Sequence, residues 1–555
     1  MGVNRRETLG MLGLAGTSVA LPSERAAATR AGEFTPDWDS LIAGYRAPEW
    51  YRDAKFGIWA HWSAQCVPER GDWYAREMYR QGSPINQSHV ARYGHPTKFG
   101  FMEIDNLWKA EHWDPERLID LYTRAGAKYF VALANHHDNF DAYDSTYHGW
   151  NATRVGPKRD IVGIWAKAAR ARGLRFGVSN HSAHAWHWFQ TAYGYDPEGP
   201  LQGQRYDAWR LSKADGKGQW WEGLDPQDLY AGRGLALPDG VVSMIEANAI
   251  GERTNLIWDE SAPRANPRFA QNWFLRCRDL IDKYHPDLLY FDNSGLPMDH
   301  YGLEIAAHFY NASRTWNGGR LDAVINGKQL PPQRRMALVE DVERGGKGSI
   351  EIYPWQTDTC LGNWHYDRAL YERDGYKSAA TVIHTLCDVI SKNGNLLLNV
   401  PVRGDGTIDE KEERIVNEIA DWMGRYGVAI YGTRPWRIHA EGPTRPNSGS
   451  FAEGGAKSPY TAADVRYVRK GRDVHAFVLG WPQDGIARLT LWANGNPVGR
   501  GDVRQVTIAG QSGPLSFRRT DAAFEVSLPD QMRHPIGVVL ILSGVGLTEG
   551  SLAEA

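Results

Sequence analysis

The stretch Pro286-Asp287-Leu288-Leu289-Tyr290-Phe291-Asp292-Asn293 is short and apolar, and Gly295 and Pro297 follow it at once. It predicts a buried strand that ends at Asp292. A carboxylate at the end of a buried strand is costly unless it is paired or used. In α/β barrels, catalytic side chains project from this end of the strands. The alternative interpretation is that Asp292 only caps the following turn.

Strand and helix patterns alternate on both sides of this stretch. Further strands are predicted at Phe56–His61, Lys128–Ala134, Arg175–Ser179, Leu321–Ile325 and Leu396–Val400. Asp114 with Pro115 opens one helix between them, and Asp160 opens another. Repeated strand–helix–strand units imply parallel strands with right-handed crossovers. We therefore expect an α/β fold, a closed (β/α) barrel over residues 35–432.

Two regions depart from this alternation. Residues 182–267 are weakly periodic and rich in Gly, Trp and Asp, which predicts a long loop insertion that the pair Trp220-Trp221 helps to order. Beyond the barrel, short strand patterns such as Val474, Ala476 and Val478 occur without helices. We expect residues 433–548 to form a β-sandwich domain.

Composition excludes several classes of partner. The 555 residues carry a net charge of -3, which gives no basic surface for nucleic acid and no polybasic patch for membranes. The four cysteines match no zinc pattern and are too sparse for a disulfide framework, so we expect packed thiols.

The N-terminus resembles an export signal. Asn4-Arg5-Arg6-Glu7 precedes an apolar stretch from Leu9 to Leu21, and Ala26-Ala27-Ala28 offers small residues for cleavage. This pattern predicts a twin-arginine signal peptide over residues 1–28 and a periplasmic or secreted protein. The stretch is too short to insert as a transmembrane helix. The alternative is an unstructured tail that happens to contain two arginines.

Polar and aromatic clusters follow three predicted strands. They are His61-Trp62 with Asp72-Trp73-Tyr74, then Asn135-His136-His137-Asp138, then Asp292. Because parallel strands of a barrel end at one mouth, these clusters are expected to line one cavity. Neutral imidazoles and indoles donate hydrogen bonds to hydroxyls, and aromatic faces cover the apolar faces of sugars. The set favours recognition of a polyol.

A metal site is the competing interpretation, because adjacent histidines and a carboxylate can bind zinc. His136 and His137 point to opposite sides of an extended chain, so one ion could not easily hold both without a bend. His181, His184 and His187 repeat every three residues, which fits either a metal-binding face or a cluster at the rim.

Several motifs in the same order resemble those of the family 29 α-L-fucosidases, from about residue 45 to residue 545. They are Trp50–Trp62, Asp72-Trp73-Tyr74, Ala127–Phe140, Val155–Asp160, Tyr290-Phe291-Asp292, Ser391–Asn399 and Tyr431–Trp436. Together they are far more specific than any one of them alone.

The resemblance implies a retaining exo-glycosidase that removes terminal α-L-fucosyl residues from an oligosaccharide or glycoconjugate. Its fold would be an imperfect (β/α)8 barrel of the TIM type, followed by a C-terminal β-sandwich. Asp292 stands at the position of the nucleophile, which forms a covalent glycosyl–enzyme. The implied substrate-binding residues are His61, Asp72, Trp73, His136, His137, Asn180 and Tyr290. No metal or organic cofactor is implied.

A second carboxyl must protonate the leaving oxygen and later activate water. Glu343 best matches the family's loop glutamate, which stands about a dozen residues before a Trp-Glu-Thr segment, here Trp355-Gln356-Thr357. Glu351 and then Glu340 are the alternatives, and all three are expected on a variable loop. The competing interpretation makes them ordinary surface charges of that loop.

Departures from the family pattern widen the expected substrate range. Asp72 stands where the family has Glu, and Gln356 stands where many members have Glu. The strand before Asn180 and His181 lacks the family's tyrosine, which leaves one of these two in its place. The sugar is expected to be L-fucose or a relative such as L-galactose. Two rivals remain: a silent sugar-binding protein on the same scaffold, and a metal-dependent hydrolase.

Overall fold

Eight parallel strands close into a barrel in the order of the sequence, with β1 paired to β8. They are β1 (Phe56–Ala60), β2 (Tyr129–Asn135), β3 (Arg175–Asn180), β4 (Leu288–Phe291), β5 (Val324–Lys328), β6 (Val339–Glu343), β7 (Trp355–Cys360) and β8 (Gly394–Asn399). The structure, a computed structural model, describes residues 32–256, 260–453 and 459–551. The predicted α/β barrel is confirmed, whereas the predicted signal peptide lies outside the described residues.

The barrel strands are apolar because both of their faces are covered. Every residue of β2 and β4 is buried, as expected for parallel strands with side chains inside and helices outside. Helices α1 to α7 are Trp38–Gly44, Glu49–Ala54, Tyr74–Glu77, Pro84–Tyr93, Phe101–Leu107, Pro115–Arg124 and Ile161–Ala171. The side chains of Asp114 and Asp160 cap α6 and α7 as predicted, accepting hydrogen bonds from backbone amides at 3.0 and 2.9 Å.

The long insertion between β3 and β4 contains both short and long helices. They are α8 (Ala185–Trp188), α9 (Asp207–Arg210), α10 (Pro226–Leu229), α11 (Met244–Leu256) and α12 (Pro267–Tyr284). Trp221 is buried there, and the indole of Trp220 donates to Glu103 at 3.0 Å. The remaining helices are α13 (His300–Trp316), α14 (Arg368–Glu372), α15 (Ala379–Ser391) and α16 (Glu410–Tyr426).

Strand β6 corrects one expectation. Glu340 and Glu343 were expected on a variable loop, and this is wrong, because both lie within β6. Side chains of a strand alternate between its faces, so Asp341 and Glu343 share the inner face while Glu340 points outward. Because β6 carries three carboxylates in five residues, it lacks the apolar run by which a buried strand is predicted from sequence.

The C-terminal part consists of two antiparallel sheets. Their strands are β9 (Arg434–Glu441), β10 (Val465–Lys470), β11 (Asp473–Val478), β12 (Ile486–Leu489), β13 (Asp502–Ile508), β14 (Phe517–Arg519), β15 (Phe524–Ser527) and β16 (Val538–Val545). One sheet has the order β13-β16-β11-β10-β9 and the other β12-β15-β14. Trp436 of β9 stacks on Trp492 just beyond β12, with ring centroids 5.1 Å apart.

All four cysteines are buried as free thiols, as the sequence predicted. Among the described residues, no helix combines the length and the apolar character needed to cross a bilayer.

Candidate active site

A cavity of about 420 Å³ opens at the carboxyl-terminal mouth of the barrel. Eight of the predicted site residues line it: His61, Asp72, Trp73, His136, His137, Tyr290, Asp292 and Glu343. Most of them lie at or just beyond the end of a barrel strand, which is why distant segments of the chain meet here.

Two predicted site residues lie elsewhere. The side-chain oxygen of Asn180 accepts from the indole of Trp273 on α12, at 3.2 Å, and so faces away from the cavity. Its neighbour His181 lines the cavity instead. Glu351 is ion-paired to Arg335 at 3.4 Å, and Arg335 also pairs with Glu340 at 2.9 Å. These two glutamates therefore share a cation on the outer side of β6.

Asp292 directly follows β4 and is surrounded by proton donors. Its Oδ2 lies 3.3 Å from Nε2 of His137 and 3.3 Å from Nδ1 of His181, and its Oδ1 contacts the ammonium of Lys328. Burial alone would raise the pKa of Asp292, but Lys328 and the two histidines outweigh it and hold that pKa well below its ordinary value. Asp292 is therefore an ionised carboxylate, aimed into the cavity.

Lys328 joins the two predicted catalytic carboxylates. Its ammonium contacts Asp292 and Glu343 together, and it lines the same cavity. Burial would lower the pKa of Lys328, but these carboxylates raise it well above its ordinary value. No sequence pattern singled out Lys328 as a site residue. Its position near the end of a predicted strand, where barrels place functional side chains, was the available signal.

The imidazoles of His61 and His136 are neutral hydrogen-bonding groups. Burial, followed by the neighbouring histidines, holds the pKa values of His61 and His136 well below the ordinary value. Gln65 lies 2.9 Å from Nδ1 of His136, while its carbonyl oxygen accepts from the amide of Ala75 at 3.2 Å. The amide nitrogen of Gln65 must then donate to Nδ1, so neutral His136 carries its proton on Nε2.

This tautomer bears on the metal interpretation. Two triads bring one ligand atom from each histidine within 4.8 Å of the others: His61, His136 and His365, and His136, His137 and His181. His136 belongs to both triads. A metal ion would need a free lone pair on one of its ring nitrogens, but in the neutral tautomer Nδ1 accepts a hydrogen bond from Gln65 and Nε2 carries the proton. The arrangement suits donation to a hydroxyl better than coordination of an ion.

The floor of the cavity is polar. The hydroxyl of Tyr290 donates to Asp358 at 2.8 Å and lies 3.3 Å from Asp341. Burial, followed by Asp341, raises the pKa of Asp358 well above its ordinary value, and burial raises the pKa of Asp341 to about 7. Asp358 lines the cavity. It was not predicted, because it lies on β7, a strand that the sequence pattern did not show.

The loops beyond β1 and β7 meet at the cavity wall. The carboxylate of Asp72 accepts from the backbone amides of His365, at 2.8 Å, and Trp364, at 3.3 Å. His365 and Trp364 both line the cavity, and neither was predicted from the sequence.

Comparison with known families identifies the chain. The family model described as α-L-fucosidase matches residues 21–428. The chain belongs to the α-L-fucosidase family. A second model, described as the α-L-fucosidase C-terminal domain, matches residues 458–543.

The human and rat tissue enzymes are distant relatives of this chain. Human tissue α-L-fucosidase is 25% identical over 505 residues, which cover 89% of this chain and 88% of that protein. The rat tissue enzyme is 26% identical over 464 residues and covers 82% and 81% respectively. Among solved structures, an α-fucosidase from Thermotoga maritima is 25% identical with a TM-score of 0.65, covering 92% of this chain and all of that one. An α-L-fucosynthase from the same organism, in complex with α-L-Fuc-(1-2)-β-L-Fuc-N3, gives a TM-score of 0.67 at 25% identity.

Proposed function

We propose that this member of the α-L-fucosidase family is a retaining, exo-acting α-L-fucosidase. The observation that carries the proposal is one constellation: Asp292, ionised just beyond β4, shares the ammonium of Lys328 with Glu343 in a cavity that the neutral imidazoles of His61 and His136 also line. The family of the chain and the α-L-fucosyl disaccharide in the related α-L-fucosynthase structure support fucose as the sugar.

Retention is supported by the separation of the two carboxylates. Because one ammonium hydrogen-bonds both, their contacting oxygens lie no more than about 6 Å apart, twice the length of a hydrogen bond. Retaining glycosidases hold their carboxyl groups about 5–5.5 Å apart, whereas inverting enzymes need about 6.5–9.5 Å to admit water.

The mechanism follows from these positions. Asp292 attacks the anomeric carbon while the bond to the leaving oxygen breaks and the carboxyl proton of Glu343 passes to that oxygen. In the second step Glu343 takes a proton from water, the water oxygen bonds to the anomeric carbon, and Asp292 leaves. Neutral His61 and His136 donate hydrogen bonds to the sugar hydroxyls, because each offers an N–H group that is not paired with a carboxylate.

Exo-action is supported by the closed floor of the cavity. Trp59 and Tyr290 form part of this floor, and buried side chains such as Tyr129 fill the barrel beneath it. A glycan chain cannot pass through, so only a terminal residue can reach Asp292.

α-L-Galactosidase activity is the second candidate. L-Galactose differs from L-fucose by one hydroxyl, on carbon 6. Among the described residues, Oδ1 of Asp358 and Nε1 of Trp59 have no hydrogen-bond partner, although both residues line the cavity. A polar floor of this kind favours a sugar with an additional hydroxyl.

The test is release of 4-nitrophenol from the α-L-fucoside and the α-L-galactoside, with and without EDTA, by the wild type and Asp292→Asn. We expect turnover that survives EDTA and falls by at least about 1,000-fold in the variant, a loss of about 4 kcal/mol of transition-state stabilisation. Loss of activity in EDTA would support the metal-dependent rival, and an inactive wild type would support the silent binder. Melting curves of both proteins separate lost chemistry from lost folding.

We also propose that the protein is exported to the periplasm or secreted, on the strength of Arg5-Arg6 and the apolar stretch behind them. Replacing both arginines by lysine should retain the protein in the cytoplasm. Unchanged fractionation would refute the signal.

A further inference from the structure

A loop of the second domain reaches the mouth of the barrel. Residues 449–453, the rim loop, lie between β9 and β10. Four backbone hydrogen bonds attach the rim loop to the chain at the end of β6. Gly449 donates to Gly346 at 2.8 Å and accepts from it at 3.3 Å, Phe451 donates to Glu343 at 2.7 Å, and Glu453 donates to Arg344 at 2.8 Å.

Charges and close packing fix the rim loop in place. The carboxylate of Glu453 lies 2.5 Å from Arg344, 3.1 Å from Lys377 and 2.5 Å from the hydroxyl of Thr359. A Cβ at Gly345 would lie 1.8 Å from the carbonyl oxygen of Gly449, so only glycine allows this approach. The rim loop is therefore a built part of the cavity wall.

Phe451 is exposed in a way that packing does not explain. Its ring lines the cavity, together with Ser450, yet 68% of the residue is accessible to solvent. Its φ is 56°, in the left-handed region that a bulky residue rarely adopts. An exposed aromatic ring on a strained backbone at the lip of a cavity points to a ligand.

The position of Phe451 indicates which part of the substrate it meets. Its amide bonds the carbonyl of Glu343, the residue proposed to protonate the leaving oxygen. The departing group must lie beside Glu343, whereas the imidazoles and Asp292 surround the sugar that stays. Aromatic faces cover the apolar faces of pyranose rings. We propose that the rim loop forms the leaving-group subsite, with Phe451 as the platform for a pyranose ring.

This subsite rests on the proposed function, and substrates with different leaving groups test it. α-L-Fucosyl fluoride has no ring to stack, whereas a fucosylated disaccharide has one. The measured quantity is kcat/KM for the disaccharide that the wild type cleaves most efficiently, divided by kcat/KM for the fluoride. In Phe451→Ala this ratio should fall about 10-fold, which corresponds to the loss of one stacked aromatic contact. Phe451→Tyr should keep the ratio of the wild type. Phe517→Ala, which removes a half-exposed ring of β14 outside the cavity, is the matched control.

Capture of the fucosyl–enzyme gives a second measurement. A pyranose acceptor replaces water in the second step: its hydroxyl oxygen bonds to the anomeric carbon, its proton passes to Glu343, and Asp292 leaves. Phe451→Ala should lower the ratio of transfer to hydrolysis, because the acceptor occupies the same subsite. If both ratios stay at the wild-type values while the variant remains folded, the subsite is disproved. A wild type that does not cleave the fluoride would overturn the proposed function, and the subsite with it.

Discussion

Lys328 sets the charge of the site. The buried ammonium beside Asp292 favours the ionised form of that carboxylate, and it keeps Asp292 ionised at a pH where an isolated buried carboxyl would be protonated. The ammonium also neutralises a repulsion between Asp292 and Glu343. One side chain thus lets two carboxylates stand close together in a largely buried place.

Replacement of Lys328 should move the acid limb of the pH profile. Lys328 lowers the pKa of Asp292, so Lys328→Met raises that pKa, and less Asp292 is ionised at a given acidic pH. The acid limb of kcat/KM, which reports groups of the free enzyme, should shift to higher pH. The maximal rate should fall about 10- to 100-fold, the worth of one charged hydrogen bond.

Lys328→Arg keeps the charge and is the control, so its acid limb should stay close to that of the wild type. An unmoved limb in Lys328→Met would show that His137 and His181 alone hold Asp292 in its charged form.

At the scale of single residues, the sequence identified those that stand beside recognisable strands. His61, His136, His137 and Asp292 were found because each follows an apolar run. Lys328 was passed over because a lysine at the end of a strand more often reaches solvent. Asn180 was favoured equally with His181, since adjacent positions at a strand end differ only in the direction of the side chain.

At the scale of elements, β6 and β7 are the two barrel strands that the sequence pattern did not predict. A buried parallel strand is usually recognised by apolar residues, yet β6 reads Val339-Glu340-Asp341-Val342-Glu343. The barrel buries Asp341 and Asp358 here because Tyr290 and Gln356 donate hydrogen bonds to them. These partners come from other strands, so no local pattern reports them.

The glutamates around β6 can be separated by mutation. Glu343→Gln should cost at least about 100-fold in kcat/KM for a disaccharide, because an amide cannot protonate the leaving oxygen. Fucosyl fluoride, whose leaving group needs no proton, should lose much less. Glu351→Gln should behave like the wild type, since Glu351 pairs with Arg335 outside the cavity.

Glu260 is the other cavity glutamate against which the acid/base role of Glu343 can be tested. It also lines the cavity, but its carboxylate accepts from the backbone amide of Ser294 at 2.7 Å. If Glu260→Gln showed the leaving-group dependence and Glu343→Gln did not, the assignment of the acid/base would pass to Glu260.

At the scale of the whole molecule, ion pairs join the barrel and the second domain, and one of them is buried. Arg466 of β10 is 1% exposed and pairs with Asp388 of α15 at 2.7 Å, and Lys392 contacts the same carboxylate at 2.6 Å. Arg434 of β9 reaches Asp53 at the end of α2, at 2.7 Å. The described residues from Phe34 onward accordingly form one compact unit.

Arg466→Met should destabilise both parts together. It removes one partner of a buried ion pair and leaves Asp388 with Lys392 alone, which should lower the free energy of unfolding by about 3 kcal/mol. Urea unfolding, followed by intrinsic tryptophan fluorescence, measures the loss. Arg414→Met removes an exposed pair with Glu418 and should leave stability nearly unchanged. Two separate unfolding transitions in the wild type would contradict the shared interface.

The position of the rim loop in the sequence determines when the cavity wall is completed during translation. A ribosome delivers the chain from its N-terminus, and the barrel can close once β8 has emerged, because Phe56 pairs with Leu396. The rim loop appears only afterwards, with the second domain. A nascent chain halted between the two would hold Asp292 and Lys328 in a closed barrel whose cavity still lacks a wall. We expect the nascent protein to become able to cleave glycans only after the rim loop has been synthesised.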